Sequence, residues 1–329
     1  MRYRLLGNTG LRVSELFLGT MAYGAPGGLS ESDARRVLDH YADAGGNVVD
    51  TANFYGDGRS ERVVGELLAG RRDRFVLATK YTVTRDPTDP NAAGNHRKNL
   101  VLSLEESLRR LRTDYIDLYW VHMWDRHTPV AETMRALDDA VRAGKIRYIG
   151  ISDAPAWIVA QANTLADWRG WTPFAALQVP YSLLRRDAER ELLPMAESLG
   201  LTVAAWGPLG HGALARSAGA TKEPAVVTAV RDIADELGVT PAQVALAWTR
   251  AHSTAVHPLT GPRTVDQLDE ALSALDLTLP PDVVARLEKA TDFTPGFPND
   301  FITEVEPSVF GDAFTRTIPR HPTPGLTTP

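Results

Sequence analysis

Four polar residues close or follow apolar runs, and their types suit proton transfer. Asp50 ends the run Val48-Val49-Asp50, and Tyr55 follows in Thr51-Ala52-Asn53-Phe54-Tyr55-Gly56. Lys80 closes Phe75-Val76-Leu77-Ala78-Thr79-Lys80, and His122 closes Tyr115-Ile116-Asp117-Leu118-Tyr119-Trp120-Val121-His122. A free tyrosine has a pKa of about 10 and donates a proton poorly near neutrality. An ammonium within hydrogen-bonding distance stabilises the phenolate and makes the phenol a better acid. Lys80 would supply that ammonium, and Asp50 would pair with it and keep it charged. His122 would donate a hydrogen bond to an oxygen that gains negative charge. Such a set suits protonation of a carbonyl oxygen. The carbonyl carbon then needs a hydride, which no side chain provides, so a nicotinamide cofactor is implied.

These residues converge only if the apolar runs are neighbouring strands. Residues 2–13 read as a small hairpin around the turn-rich Gly7-Asn8-Thr9-Gly10. Strands are expected at 15–20, 47–51, 75–80, 115–122, 146–152, 174–179, 201–206 and 255–259. Ser30 with Asp33 resembles a capping box; the helix behind it carries Ala34, Val37, Leu38 and Tyr41 on one face and closes at Gly45. Further helices are expected near 60–69, 97–111, 130–142, after Pro155, and near 187–199, 224–237, 241–251 and 264–275. Leu100, Leu104, Leu108 and Leu111 form the apolar stripe of one of them.

Alternating strands and helices with near-continuous apolar strands mean a parallel sheet with helices outside. Eight such units most simply close into a (β/α)8 TIM barrel, here with an N-terminal β-hairpin. A doubly wound sheet fits less well, because Leu18-Gly19-Thr20-Met21-Ala22-Tyr23 lacks the G-x-G-x-x-G of its dinucleotide-binding version. One domain is expected over residues 1–329, with the stretch after Phe293 as a loop segment and a flexible tail from about residue 310. In such barrels the active site lies at the C-terminal ends of the strands. Asp50, Lys80 and His122 end strands two to four, and neighbouring strands lie about 4.8 Å apart.

Composition removes several alternatives. Lys plus Arg is 35 and Asp plus Glu is 41, a net charge of −6 with no basic run, so no nucleic-acid partner is expected. The absence of cysteine excludes disulfides, thiolate catalysis and thiolate metal sites, and no metal site is expected. No apolar run approaches the ~20 residues of a membrane span, and Met1-Arg2-Tyr3-Arg4-Leu5-Leu6-Gly7 has no secretory character. A cytoplasmic protein with no membrane partner is expected. Nothing in the residues argues for a particular oligomeric state.

With these motifs in place, the sequence resembles the aldo-keto reductases over about residues 3–300, and within them the branch that contains aryl-alcohol dehydrogenases. Asp50 to Gly56 is similar to the segment around the family's catalytic Asp and Tyr. Lys80 and His122 match its Lys and His, and Gly144 to Ser152 is similar to its fifth strand. The His122-Met123-Trp124-Asp125 run and Ser152-Asp153-Ala154-Pro155-Ala156-Trp157 look closest to that branch. The resemblance implies NADP(H), reduction of a small-molecule carbonyl, and Tyr55 as the general acid. It also implies cofactor contacts from Gly19, Thr20, Met21 and Asp50, and carboxamide contacts from Ser152, Asp153 and Gln178. Trp206 stands where an aromatic stacks on nicotinamide, and Gly207, Pro208, Leu209 and Gly210 would form the loop over the pyrophosphate. Near the last strand Gly261, Arg263, Gln267 and Glu270 match the segment that holds the adenosine 2′-phosphate and adenine. A guanidinium beside a helix N-terminus suits a phosphate. Two positions depart from the family pattern: Asp153 and Ala271 each stand where Asn is common.

The substrate pocket is expected to be aromatic. Tyr23, Phe54, Tyr81 and Trp124 fall on segments at the same barrel end, and Phe297 and Phe301 could fold over it. A dedicated ketoreductase for one sugar or natural-product intermediate, and a non-catalytic cofactor-binding protein, are the other readings.

Overall fold

The computed structural model describes residues 1–216 and 223–315. Two short strands, β1 (Tyr3–Leu5) and β2 (Arg12–Ser14), pair antiparallel. Eight parallel strands then close a barrel: β3 (Phe17–Gly19), β4 (Val48–Asp50), β5 (Val76–Tyr81), β6 (Ile116–Val121), β7 (Ile146–Ser152), β8 (Phe174–Pro180), β9 (Thr202–Trp206) and β10 (Val256–Thr260). The order follows the chain, and β10 pairs with β3 to close the ring. Most intervening helices start and stop within a few residues of the expected positions. They are α1 (Glu31–Asp43), α2 (Arg59–Leu67), α3 (Arg97–Leu111), α4 (Val130–Arg142), α5 (Ala156–Arg169), α6 (Leu192–Leu199), α7 (Ala225–Leu237), α8 (Pro241–Thr249) and α9 (Val265–Ser273). Ser30 caps α1 by accepting from the Asp33 backbone N–H at 3.1 Å.

Three differences from expectation have local causes. The helix expected over 187–199 splits into a single 3₁₀ turn and α6, because Glu191 leaves helical geometry at φ −140°. Pro280-Pro281 opens an additional helix, α10 (Pro281–Lys289), with Pro281 in its first turn and Val283 and Leu287 buried. The segment after Phe293 is a helix rather than a loop: α11 (Asn299–Thr315) carries Phe301, Ile302 and Val305 at helical spacing and is interrupted at Gly311. The tail expected from residue 310 lies, from 316 on, outside the described residues.

The period-two alternation of each strand sorts side chains onto two faces. Phe17, Val48, Val76, Ala78, Leu118, Trp120, Ala176 and Ala204 pack inside the barrel, where Leu6 and Val13 of the hairpin join them. Leu77, Tyr119, Val121, Leu177 and Val179 face the helices. The hairpin therefore plugs the N-terminal end of the barrel. Gly7 makes this possible: its φ is +51°, and a Cβ there would lie 2.4 Å from the Ala175 carbonyl oxygen. Its N–H donates to Thr202 Oγ1 at 2.8 Å, at the start of β9.

Candidate active site

At the open end, β4 and β5 bring Asp50 and Lys80 inward, and both are buried. The Lys80 ammonium donates to Asp50 Oδ2, to the Thr51 carbonyl at 2.9 Å and to the Tyr55 hydroxyl at 3.2 Å. Its three donors are thus all used. Burial works against the ammonium, but the Asp50 carboxylate and Tyr55 outweigh it and raise its pKa above the ordinary lysine value. Lys80 therefore stays charged.

Tyr55 is placed by the loop between β4 and α2. Ser60, at the start of α2, donates to the Thr20 carbonyl at 2.8 Å and lies 2.9 Å from Thr51 Oγ1. The Ser60 N–H donates to the Tyr55 carbonyl at 3.3 Å. His122 follows β6, and its N–H donates to the Tyr81 carbonyl at 3.3 Å. Its ring meets Tyr55 edge-on, with centroids 6.1 Å apart. Burial first, and then the Lys80 charge, lower its pKa to about 3. The imidazole is neutral at working pH, and its Nδ1 is buried without a partner in the protein. The four residues expected to act together are therefore one cluster.

The expected cofactor residues divide into two groups around the same rim. Ser152 and Gln178 are buried at the ends of β7 and β8, and Gln178 donates to Asp50 Oδ1 at 3.2 Å. Asp153 sits at φ +48°, and its Oδ1 accepts from Trp206 Nε1 at 3.2 Å. Burial raises the Asp153 pKa, against hydrogen bonds from Trp206 and Ser152. Gly207 and Gly210 have positive φ on the loop that also carries Pro208 and Leu209. On the far side, Gly19 and Gly261 adjoin across the β3–β10 seam, where a Cβ on Gly261 would lie 3.4 Å from the Gly19 carbonyl oxygen. Arg263 is exposed just before α9 and makes no ion pair with a described residue. Gln267 Oε1 accepts from the Arg263 N–H at 2.8 Å, Glu270 is half-buried, and Ala271 faces the core. The buried Thr260 Oγ1 at the end of β10 has no protein partner. A donor-rich, glycine-lined rim with a free guanidinium and an unsatisfied hydroxyl fits a phosphate-bearing dinucleotide.

The remaining expected residues divide between core and surface. Thr20 is buried, and its hydroxyl is committed to the Asp50 carbonyl at 3.0 Å and to Ser60 Oγ at 3.0 Å. Met21 is exposed. Tyr81 is not on a pocket wall: it follows the inward-facing Lys80, so it points to the helices and stacks on Tyr119 at 5.3 Å. Tyr23 is likewise buried in the core beneath the loop. Phe54 is half-exposed, and Trp124 meets Trp157 edge-on at 5.6 Å. Phe297 and Phe301 are exposed and adjoin each other at 6.2 Å. Two residues that sequence reasoning missed contact expected site residues. Trp157 is visible only through its contact with Trp124. Trp120 donates through Nε1 to Asp50 Oδ1 at 2.9 Å. It shares the inward parity of His122, which is the signal that could have found it.

A closed parallel barrel with a buried acid–lysine pair holding a half-buried phenol at its C-terminal mouth has the form of a barrel enzyme, and comparison with known proteins supplies the family. The chain belongs to the Aldo/keto reductase family, whose model matches residues 15–292. It is 42% identical to a norsolorinic acid reductase of Emericella nidulans over 319 residues, 90% of this chain and 82% of that protein. It is 38% identical to an aryl-alcohol dehydrogenase of Pestalotiopsis microspora over 326 residues, covering 92% and 85%. A putative aryl-alcohol dehydrogenase of Saccharomyces cerevisiae is 35% identical over 343 residues, covering 94% and 91%. The chain is an oxidoreductase that acts on carbonyl compounds. Among the described residues no helix is long and apolar enough to cross a membrane, and no cluster of His, Asp and Glu could hold a metal.

Proposed function

We propose that this protein reduces an aromatic or otherwise bulky aldehyde or ketone with NADPH, and that Tyr55 gives the proton. The observation that carries the reading is the Lys80 ammonium, fixed by Asp50 and Thr51 with its remaining donor on the Tyr55 hydroxyl at 3.2 Å. When bound, the reduced nicotinamide supplies the hydride that no side chain can. Ser152, Asp153 and Gln178 would hold its carboxamide, Trp206 would flank its ring, and Arg263 would take the 2′-phosphate. Tyr55 transfers its proton to the carbonyl oxygen, and Lys80 stabilises the phenolate left behind. Neutral His122 donates one N–H to the same oxygen as charge develops on it. Because the imidazole is neutral, it orients the carbonyl without competing as the acid.

Half-exposed Phe54 and the Trp124–Trp157 pair favour a flat apolar substrate at the rim. Relatives named for one compound, norsolorinic acid, favour a single dedicated substrate; those named for aryl alcohols favour a wider range. The intact proton-transfer cluster speaks against a purely cofactor-binding protein. The test is NADPH oxidation with a panel of aromatic aldehydes, aromatic ketones and keto-sugars. Tyr55→Phe is expected to lose turnover about a thousandfold while NADPH affinity stays within about twofold. Undiminished turnover in Tyr55→Phe would remove Tyr55 as the acid, and equal use of NADH would remove the role given to Arg263.

A further inference from the structure

The fully buried indole of Trp120 is not spent on filling space alone. Its Nε1 donates to Asp50 Oδ1 at 2.9 Å, and Gln178 Nε2 donates to the same oxygen at 3.2 Å. The other oxygen, Oδ2, takes the Lys80 ammonium. Asp50 thus carries two neutral donors on one side and one cation on the other. The indole fits because of what is missing beside it. Gly150 on β7 is the register partner of Trp120 on β6, and a Cβ there would lie 2.4 Å from Cε3 and Cζ3 of the indole. A glycine inside a strand commonly marks such a close approach.

We propose that Trp120, seated in the notch left by Gly150, is a positioning residue that orients the Asp50 carboxylate so that Lys80 keeps its contact with the Tyr55 hydroxyl. Without the indole N–H, Oδ1 can turn toward the ammonium and engage it with both carboxylate oxygens. The two neutral donors also draw on the carboxylate charge, so less of the Lys80 charge is cancelled and more acts on the phenol. The kinetic part rests on Tyr55 as proton donor; the contact itself does not.

Trp120→Phe removes the N–H and keeps an aromatic ring. Expected is a kcat about tenfold lower, with carbonyl KM and NADPH affinity within about twofold. The alkaline limb of the kcat profile should move up by about half a pH unit, because a tighter Asp50–Lys80 pair leaves a weaker acid. Gly150→Ala, which tilts the indole but keeps its N–H, should move the same limb in the same direction. A limb unmoved in both folded variants would overturn the proposal. A readout free of turnover uses ¹⁵N-labelled protein without cofactor. Of its seven indole N–H signals, the one absent in Trp120→Phe should shift in Asp50→Asn and in Gly150→Ala. A signal indifferent to Asp50→Asn would overturn the contact. If Tyr55→Phe kept full turnover, the acid assignment would fail, and the shift in Asp50→Asn would still support the contact.

Discussion

Both ends of the barrel hold a buried carboxylate with cationic partners and a neutral histidine, yet only one end leaves a hydrogen bond open. At the plugged end, Glu15 is met by Arg2 at 2.8 Å, Arg4 at 3.2 Å and Arg250 at 3.3 Å. Burial opposes its charge, but the guanidiniums win and hold its pKa below the usual carboxylate value. Arg2 and Arg250 also donate to the Leu275 carbonyl, at 2.6 and 3.1 Å. His257 shares a hydrogen bond with the Ser14 carbonyl at 3.0 Å, and burial lowers its pKa to about 4. Every group there has a partner, and guanidinium does not give up its proton. At the mouth a single ammonium is shared with a phenol, and one imidazole nitrogen is left without a partner. Similar ionic groups become structural where they are saturated and chemical where one hydrogen bond is still open.

Substitutions at the two ends should separate these roles. The largest effect is expected for Lys80→Met, which removes the cation beside Tyr55: kcat should fall about a thousandfold or more, measured by NADPH oxidation at saturating substrate. Glu15→Gln is the counterpart. Chemical denaturation should show about 1–2 kcal/mol of lost stability, chiefly because the largely buried Arg250 loses its counter-charge while Arg2 and Arg4 stay solvated, and kcat should stay within about twofold. If Glu15→Gln cut kcat as Lys80→Met does, the two ends would not be functionally distinct.

The smallest effect concerns both histidines. Their folded pKa values, about 3 and about 4, lie below the unfolded value of about 6.5. Below pH 6.5 the unfolded chain therefore binds protons that the folded one refuses, and stability falls as pH falls. Between about pH 6 and 4.5 each histidine should contribute roughly 1 kcal/mol per pH unit to that slope. His252 carries the opposite shift, held up by Glu288, and its contribution is lost only above pH 6.5. His257→Gln should lower the slope by roughly 1 kcal/mol per pH unit and spare kcat; His122→Gln should lower it by as much and reduce kcat. A slope unchanged by both would mean that neither ring is held neutral.

The barrel was legible because its strands are short apolar runs ending in polar residues, and the site was legible because Asp50, Lys80 and His122 occupy those ends. What sequence reasoning lost was side-chain direction. Tyr81 was expected at the pocket because it falls at the mouth end of the barrel, but it directly follows Lys80, and adjacency along a strand means opposite faces. Trp120 was passed over because an aromatic in an apolar run looks like packing; its inward parity with His122 and the glycine opposite, Gly150, are the hints otherwise. Helix α11 was hidden by the Pro, Phe and Gly of its surroundings, which argue for a loop although Phe301, Ile302 and Val305 keep a helical period. The Asp153–Trp206 hydrogen bond joins strands far apart in sequence, and no local pattern announces it.

The two faces of β5 have one more consequence. A strand of alternating side chains behaves like a reading frame with a period of two. From Val76 to Lys80 the frame is set so that Val76, Ala78 and Lys80 read inward and Leu77 and Tyr81 read outward. A single-residue deletion that kept the strand straight would carry the phenol of Tyr81 into the barrel and turn the ammonium out among the helices. Loops at the mouth can lengthen or shorten without touching that frame. Variation in what the enzyme accepts is therefore free to accumulate in the loops, while the spacing inside the strands is held to whole pairs of residues.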